Sequence, residues 1–497
     1  MLQERVKTAE APPAEAPKTA AHDDGPPQAL LDFMVTEWEP RTPVTAPVPG
    51  SDNHAARRRA LSERFPDDVV IVATGHQKVR ANDTHYRFRA GTDFCYLTGN
   101  LEPDAVLVLV PQSAGGHSAC LYVAPNPGKT DATFFTDRVS GELWVGPRLG
   151  VDESAARFGI AARGLPELDA ALDAFAEGSS AVRVLRGVDP VLEARFGEAS
   201  EHDAELATFL SELRLIKDDL EVAELEKAVA ATQRGFDDVL RALPGSKTER
   251  HVEGVFNLRA RVEGNDVGYG TIAAAGSHAC TLHWTANDGP LRPGDLLLLD
   301  AGVETDTLYT ADITRTIPID GHFTREQRDI YELVLEAQDA GFAACMPGND
   351  FLAPNVAAMQ VLARGLERLG ILPMSAEEAL RDTNQFYKRY SLHNVSHMLG
   401  LDVHDCAKAR QETYRYGKLA SGMVLTVEPG LYFQPDDRTV PARYRGIGVR
   451  IEDDVVITPQ GHRVLSAGIP RETEAVERWV RDCAGTPGTL FERAGGA

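Results

Sequence analysis

The sequence predicts a two-domain protein of the mixed α/β (α+β) class. Two short apolar runs, residues 68–73 and 105–110, are rich in Val, Ile and Leu and are typical of buried strands. A long amphipathic helix follows them, because Asp218 and Glu221 fit a capping box and apolar residues recur at helical spacing up to Leu243-Pro244-Gly245. At 497 residues the chain is long enough for two hydrophobic cores.

Composition divides the chain into four segments. Nine of the 30 prolines fall within residues 1–50, which we expect to form a Pro/Ala-rich N-terminal arm. Residues 51–205 alternate predicted strands and helices and form an N-terminal α/β domain. Residues 206–477 combine helices with strands that end on polar residues, and residues 478–497 form a Gly-rich C-terminal tail.

The overall charge argues against polyanionic partners. The formal net charge is −23, so we expect binding neither to nucleic acid nor to an anionic membrane surface. The six cysteines are scattered without a CxxC pair, which favours reduced thiols. No apolar segment near the N-terminus resembles a signal peptide, and no apolar run is long enough to span a membrane, so the expected location is the cytoplasm.

Three apolar runs end on a carboxylate, at Asp300, Glu428 and Glu452. A single such residue most often marks a strand end that meets solvent, but a buried carboxylate needs a partner charge or a metal ion. Asp312 follows Asp300 by twelve residues in a Thr-rich strand, and a hairpin would bring the two aspartates side by side. The repeated pattern therefore indicates a site that gathers carboxylates.

Three histidines lie close together in the sequence, at positions 393, 397 and 404, and His397 is the candidate metal ligand. The four carboxylates carry four negative charges, which two divalent ions neutralise. Oxygen-rich coordination with one imidazole suits Mn²⁺, Co²⁺ and Zn²⁺, and ligand type alone does not choose among them; we expect Mn²⁺. Two such ions can activate water and polarise a carbonyl group.

Several motifs resemble those of aminopeptidase P (Xaa-Pro aminopeptidase), a family of pita-bread metallopeptidases. They are, in order along the chain, residues 91–99, 144–150, 299–302, 312–316, 396–405, 426–432 and 444–454. The resemblance covers about residues 51–475, whereas the N-terminal arm has no counterpart and the Asp300–Asp312 spacing is one residue longer than expected. It implies a pita-bread catalytic domain over residues 206–477, with a curved antiparallel sheet flanked by helices.

The resemblance also implies a set of five metal ligands. Asp312 and Glu452 would bridge two ions, Asp300 would complete one site, and His397 and Glu428 would complete the other. Glu428 would in addition accept a proton from the attacking water.

Five further residues resemble the family's substrate-side groups. His283 is a candidate catalytic residue, and His404 would bind the scissile carbonyl or transfer its proton. His393, Tyr432 and Arg450 resemble the groups of the proline pocket and those that support the metal ligands.

The predicted activity is removal of the N-terminal residue from Xaa-Pro-Yaa peptides, and three alternatives were weighed against it. A prolidase would cleave Xaa-Pro dipeptides with the same ligands and would need a cation for the free carboxylate, for which Arg443, Arg445 and Arg450 are candidates. The stretch 441–450 favours aminopeptidase P, and we expect Arg450 to bind metal-site carboxylates because it shares a strand face with Glu452. A creatinase-like hydrolase or a non-catalytic binding protein would lack part of the ligand set. The resemblance also favours a homo-oligomer, a dimer or tetramer.

Overall fold

The computed structural model describes residues 25–43, 46–178 and 180–484. Of the predicted tail, residues 478–484 belong to the last helix, Thr473–Ala484, and residues 485–497 lie outside the described residues, as do residues 1–24 and 44–45 of the predicted arm. In the N-terminal half the helices are α1 (Gln28–Met34), α2 (Ser51–Arg64), α3 (Thr92–Thr98), α4 (Thr133–Thr136), α5 (Glu142–Val145), α6 (Val151–Phe158), α7 (Leu168–Glu177), α8 (Pro190–Ala194) and α9 (Glu201–Leu213). Its strands are β1 (Val69–Ala73), β2 (Val79–Ala81), β3 (Thr84–His85), β4 (Val106–Pro111), β5 (His117–Val123), β6 (Ala161–Gly164) and β7 (Val182–Val184).

The N-terminal domain is built on a five-stranded sheet of order β6-β5-β4-β1-β7. The central pairs β1/β4 and β4/β5 are antiparallel, and the outer pairs β1/β7 and β5/β6 are parallel. Along β1, Val70 and Val72 pack into one hydrophobic cluster, whereas Val69 and Ile71 pack into another on the opposite face. A strand covered on both faces reads as an unbroken apolar run, and the structure confirms both predicted strands.

The second half has helices α10 (Asp219–Ala242), α11 (Glu249–Glu263), α12 (Arg325–Ala344), α13 (Ala353–Arg368), α14 (Ala376–Ala379) and α15 (Thr473–Ala484). Its strands are β8 (Asp266–Val267), β9 (Ile272–Ala275), β10 (Leu296–Ala301), β11 (Val303–Glu304), β12 (Ile313–Pro318), β13 (Val424–Val427), β14 (Gly430–Tyr432), β15 (Gly448–Arg450), β16 (Asp453–Thr458) and β17 (Gly461–Val464). Each pairing among these strands is antiparallel.

Helix α10 begins as the capping box predicts. The Glu221 N–H donates to Asp218 Oδ1 at 2.9 Å, and the Asp218 N–H donates to Glu221 Oε2 at 3.0 Å. Its apolar face contributes Val229, Phe236 and Val239 to the largest core cluster. The helix ends at Ala242, where a 3₁₀ turn over Leu243–Gly245 replaces it.

The strands of the second half meet around one region. The order β12-β10-β9 forms one sheet and β13-β16-β17 another, while β14 pairs with β15. Isolated bridges between Thr314 and Glu452 and between Met398 and Leu425 join these groups. Together with the helices packed against them, they confirm the predicted α/β (α+β) class and the antiparallel sheet flanked by helices.

Two features concern the surface. Within the described residues, no helix combines the length and the apolar composition needed to cross a bilayer. The short helix α1 has no buried residue, but the segment after it packs on the N-terminal domain. There the ring centroids of Trp38 and Phe135 lie 6.2 Å apart, and Arg41 pairs with Glu142.

All six cysteines are unpaired, as the sequence predicts.

Candidate active site

A cavity of about 510 Å³ lies where the strands of the second half converge. Nine of the ten predicted site residues line it. They are Asp300, Asp312, His397, Glu428 and Glu452, the predicted metal ligands, and His283, His393, His404 and Arg450. The tenth, Tyr432, lies next to them, and its hydroxyl forms hydrogen bonds with two lining residues, His393 and Arg450. Residues separated by up to 169 positions thus reach one cavity.

Antiparallel pairing delivers the two aspartates. Asp300 is the penultimate residue of β10 and pairs with Thr314 of β12, while Asp312 directly precedes β12. The hydroxyl of Tyr269 lies within hydrogen-bonding distance of both, at 2.7 Å from Asp300 Oδ1 and 2.5 Å from Asp312 Oδ1. The hairpin predicted from sequence therefore places the two carboxylates side by side.

Three of the predicted ligands converge most closely. Donor atoms of Asp312, His397 and Glu452 all lie within 4.8 Å of one another. His397 Nε2 is 3.3 Å from Asp312 Oδ2 and 3.6 Å from Glu428 Oε1, which brings the fourth ligand to the same place. Glu452 is held by the Thr314 hydroxyl, which donates to Glu452 Oε2 at 2.6 Å.

Arg450 holds the fifth ligand. Its guanidinium forms an ion pair with Asp300 Oδ2 at 2.5 Å and donates to the Tyr432 hydroxyl at 3.0 Å. We expected Arg450 to contact metal-site carboxylates, and it pairs with one of them, Asp300, which lies on a different strand. Its side chain is 5% exposed, so this guanidinium is committed to the site wall.

The electrostatics of the cavity are those of crowded carboxylates. Burial raises the pKa of Glu452 well above its ordinary value, and the charges of Asp312 and Glu428 raise it further. Burial and the Asp312 charge also raise the pKa of Asp300, against the opposing effect of Arg450.

His397 and Glu428 shift each other's pKa in opposite directions. Burial lowers the pKa of His397, but its hydrogen bond to Asp312 and the charge of Glu428 outweigh this and raise the pKa to about 9. Burial raises the pKa of Glu428, but the hydrogen bond and charge of His393, with the charge of His397, bring it to about 2. Contacts with His393 and His397 thus stabilise the ionised form of Glu428.

This donor set fits divalent metal ions. Three buried carboxylates, the half-buried Glu428 and one imidazole face a common space, and Glu452 pairs with no lysine or arginine of the described residues. Hard oxygen donors with one nitrogen are the ligands of divalent ions, and bound cations would remove the mutual repulsion that raises the pKa of Glu452.

The substrate-side residues lie around this centre. His283 and His404 are exposed at the cavity, and the His404 ring stands perpendicular to the His397 ring at 4.3 Å. Burial and the His397 charge lower the pKa of His404. His393 Nε2 lies 2.8 Å from the Tyr432 hydroxyl, and its Nδ1 lies 3.3 Å from Glu428 Oε2.

Sequence reasoning missed Tyr269. It contacts two predicted ligands, and burial raises its pKa well above the ordinary value, so its hydroxyl keeps its proton. Its flanking glycines, Gly268 and Gly270, mark a loop, but no sequence pattern connects that loop with Asp300 or Asp312.

Comparisons with known proteins agree with this geometry. Residues 223–459 match the model of metallopeptidase family M24, and residues 54–184 match the aminopeptidase P N-terminal domain. The chain is 51% identical to Xaa-Pro aminopeptidase 1 of Streptomyces coelicolor over 438 residues, covering 87% of this chain and 88% of that protein. It is 34% identical to the Xaa-Pro aminopeptidase of Escherichia coli over 85% of this chain and 96% of that one.

A solved structure of aminopeptidase P from E. coli, in a low-pH form, superposes with a TM-score of 0.79 at 32% identity. The match covers 88% of this chain and 99% of that chain. These comparisons confirm the resemblance inferred from the motifs, and with it the M24 class and the pita-bread fold. The chain belongs to the aminopeptidase P family of metallopeptidases and is a hydrolase.

Proposed function

We propose that the chain hydrolyses the first peptide bond of Xaa-Pro-Yaa peptides and so releases the residue before proline. The observation that carries this proposal is the single cavity that joins five metal-type ligands to histidines able to contact a peptide. Relatives named Xaa-Pro aminopeptidase, aligned over most of both chains, support the same reaction.

Five residues would hold two divalent ions: Asp300, Asp312, His397, Glu428 and Glu452. Mn²⁺ is our first choice, with Co²⁺ and Zn²⁺ as alternatives, because oxygen donors predominate. When bound, such ions supply Lewis acidity toward the scissile carbonyl and lower the pKa of the attacking water.

Glu428 is the proposed proton acceptor. Its low pKa, about 2, keeps the carboxylate ionised, as a general base must be. The contacts of its two oxygens with His393 and His397 fix its orientation.

His404 and His283 are the proposed donors to the substrate. The lowered pKa of His404 leaves a neutral imidazole near pH 7, whose N–H can donate to the scissile carbonyl as negative charge develops there. His283 lines the same cavity and is exposed, so a peptide can contact both rings.

The proline side is proposed to lie against His393 and the Tyr432–Arg450 pair. The apolar residues Leu282 and Val403 also line the cavity and offer contacts for the proline ring. Hydrogen bonds fix His393 to Tyr432 and Tyr432 to Arg450, so this wall is preorganised.

The arginines favour an aminopeptidase over a prolidase. Within the described residues, Arg450 is the one arginine or lysine that lines the cavity, and it is already paired with Asp300. Arg443 lies over the Tyr444 ring, and Arg445 donates to the Val440 carbonyl. Because Arg443 and Arg445 do not line the cavity and Arg450 is already paired, the described residues place no unpaired guanidinium there for a proline carboxylate, and a peptide that continues beyond proline is the better substrate.

The proposal also includes the oligomeric state of the protein and its location in the cell. We infer a cytoplasmic homo-oligomer, a dimer or tetramer. Exposed apolar residues on the N-terminal domain, namely Val139, Leu143, Trp144 and Val145, support a subunit contact. Light scattering during size-exclusion chromatography measures the mass directly, and a monomer at micromolar concentration would contradict this part.

The test of the activity is metal removal and return. The protein is stripped with a chelator, refilled separately with Mn²⁺, Co²⁺ or Zn²⁺, and assayed with Ala-Pro-Ala. We expect the stripped protein to be inactive and Mn²⁺ to restore release of alanine. A refilled protein with two bound ions that leaves the peptide intact would instead be a binding protein on this fold.

A further inference from the structure

His404 receives its position from the loop that carries it. Among the described residues its ring takes part in no hydrogen bond, and its one ring contact is with His397. We call residues 399–405 the His404 loop. Because the ring itself is not anchored, whatever fixes this loop also fixes the imidazole.

The N-terminal domain packs against the His404 loop. Leu399 and Leu401 are buried in the hydrophobic cluster that contains Phe94 and Leu97 of α3, and Val403 packs against the same cluster. Alternate residues of the loop thus face the N-terminal domain, while Val403 and His404 also line the active-site cavity.

Arg89 and Thr92 of the N-terminal domain bind the loop by hydrogen bonds. Arg89 donates to the Leu401 carbonyl at 2.7 Å and to Asp402 Oδ1 at 3.1 Å. The Thr92 hydroxyl donates to the same Asp402 oxygen at 2.7 Å. Arg89 also pairs with Glu304 of β11 at 2.6 Å, so a single guanidinium joins the N-terminal domain, the second half and the loop.

A second set of contacts fixes the end of the loop. Asp405 directly follows His404 and is 2% exposed, and it accepts a hydrogen bond from Arg214 Nε at 2.9 Å. Arg214 also pairs with Asp93, which lies beside Thr92 on α3. A Cβ at Gly400 would come within 2.2 Å of the Asp405 carboxylate, so the two ends of the loop are in close contact.

We propose that Arg89 and Thr92 are positioning residues for catalysis, through which the N-terminal domain holds His404 at the scissile bond. The inference rests on the proposed function, since it takes His404 to contact the substrate. Loss of a clamp on the loop displaces the imidazole without touching the metal ligands, and a displacement of about 1 Å can lower a rate on the order of 10²-fold. The assigned role differs from domain packing alone because it acts on kcat through one side chain.

The experiment compares Arg89→Ala with Arg87→Ala, each made in the wild-type and in the His404→Ala background. Arg87 is the matched control, since it also joins the two halves, donating to the Asn265 carbonyl at 2.5 Å, but does not contact the loop. For each protein, kcat and KM for Ala-Pro-Ala, metal content and Tm are measured with the Mn²⁺-loaded enzyme.

We expect Arg89→Ala to lower kcat about 10- to 100-fold, with KM changed less than about twofold and two ions still bound. Arg87→Ala should stay within about twofold of wild type. In the His404→Ala background, Arg89→Ala should cost less than about twofold, because residues that act through one group are not additive. Arg89→Lys should recover part of the rate, since an ammonium reaches some of these acceptors but lacks the planar fork.

Equal kcat in Arg89→Ala and Arg87→Ala would overturn the inference. It would also be overturned if Arg89→Ala lowered kcat as much in the His404→Ala background as in the wild-type background, or if Arg89→Ala lost metal. Should Arg89→Ala fail to fold, Thr92→Val decides, since it removes one hydroxyl from Asp402 at constant volume. A kcat for Thr92→Val below that of Arg87→Ala supports the clamp, and an equal kcat refutes it. Full activity in His404→Ala alone would instead contradict the role given to His404 in the proposed function.

Discussion

Two fully buried carboxylates, Asp405 between the domains and Glu452 in the cavity, show opposite behaviour. Both are 2% exposed, and burial alone raises the pKa of each. At Asp405 the charges of Arg214 and Lys217 reverse that effect and lower the pKa below its ordinary value. At Glu452 the neighbouring charges come mainly from Asp312 and Glu428, and they raise the pKa further.

The two carboxylates differ in what compensates their buried charge. Between the domains each buried carboxylate has a guanidinium from this chain: Arg57 pairs with Glu221, Arg89 with Glu304 and Arg214 with Asp405. In the cavity, carboxylates face one another, a state that is costly unless cations arrive from outside the chain. Glu452, whose strongest neighbouring charges are those of carboxylates, therefore fits a role as a metal ligand.

The largest expected effect comes from removing a shared ligand. Asp312→Ala or Glu452→Ala should lose both metals together and with them the activity, because each carboxylate is proposed to bridge two ions. Elemental analysis of purified protein measures this, with the exposed Asp306→Ala as a control that keeps two ions. Two ions retained in either ligand variant would refute the bridging role and weaken the contrast with Asp405.

The second largest effect is expected at His404, which is proposed to act in catalysis without binding metal. His404→Ala should keep two metals and the fold but lower kcat by roughly 10²–10⁴, the range for losing acid–base or oxyanion help. Steady-state kinetics with Ala-Pro-Ala, alongside metal analysis, measure it. An unchanged kcat would make His404 a structural residue.

The preference between a tripeptide and a dipeptide depends on whether an unpaired cation lines the cavity. Since Arg450 is paired with Asp300, we expect kcat/KM for Ala-Pro-Ala to exceed that for Ala-Pro at least about tenfold, or about 1.4 kcal/mol in transition-state binding. Ala-Ala-Ala should be cleaved far more slowly, because it lacks the proline ring. Faster cleavage of the dipeptide would identify a prolidase, and equal cleavage of Ala-Ala-Ala would remove the proline specificity.

The smallest expected effect is the release of protons from the ligands when metal binds. In the metal-free protein the pKa of His397 is about 9, so at pH 7 the ring carries a proton that metal coordination must displace. Burial and the neighbouring carboxylates raise the pKa of Glu452, which acts in the same direction. Metal affinity should thus rise from pH 7 toward pH 9, and calorimetry in buffers of different ionisation enthalpy should detect proton release. Heats that do not depend on the buffer would show that the ligands are already deprotonated.

The sequence by itself determined the local elements and the identity of the family. The unbroken apolar run of β1, the cap of α10 at Asp218 and the family motifs are local, because they depend on backbone geometry and on residues within a few positions. Eight of the ten predicted site residues belong to these motifs, and nine of the ten line one cavity.

Only the tertiary structure decided the contacts between distant segments. Tyr269 reaches Asp300 and Asp312 from 31 and 43 residues away, and Arg89 reaches Asp402 across 313 residues. Arg450 binds Asp300 rather than the nearby Glu452 for the same reason. No periodicity or spacing encodes such pairs, since they form only when the packing of sheets and domains brings the side chains within hydrogen-bonding distance.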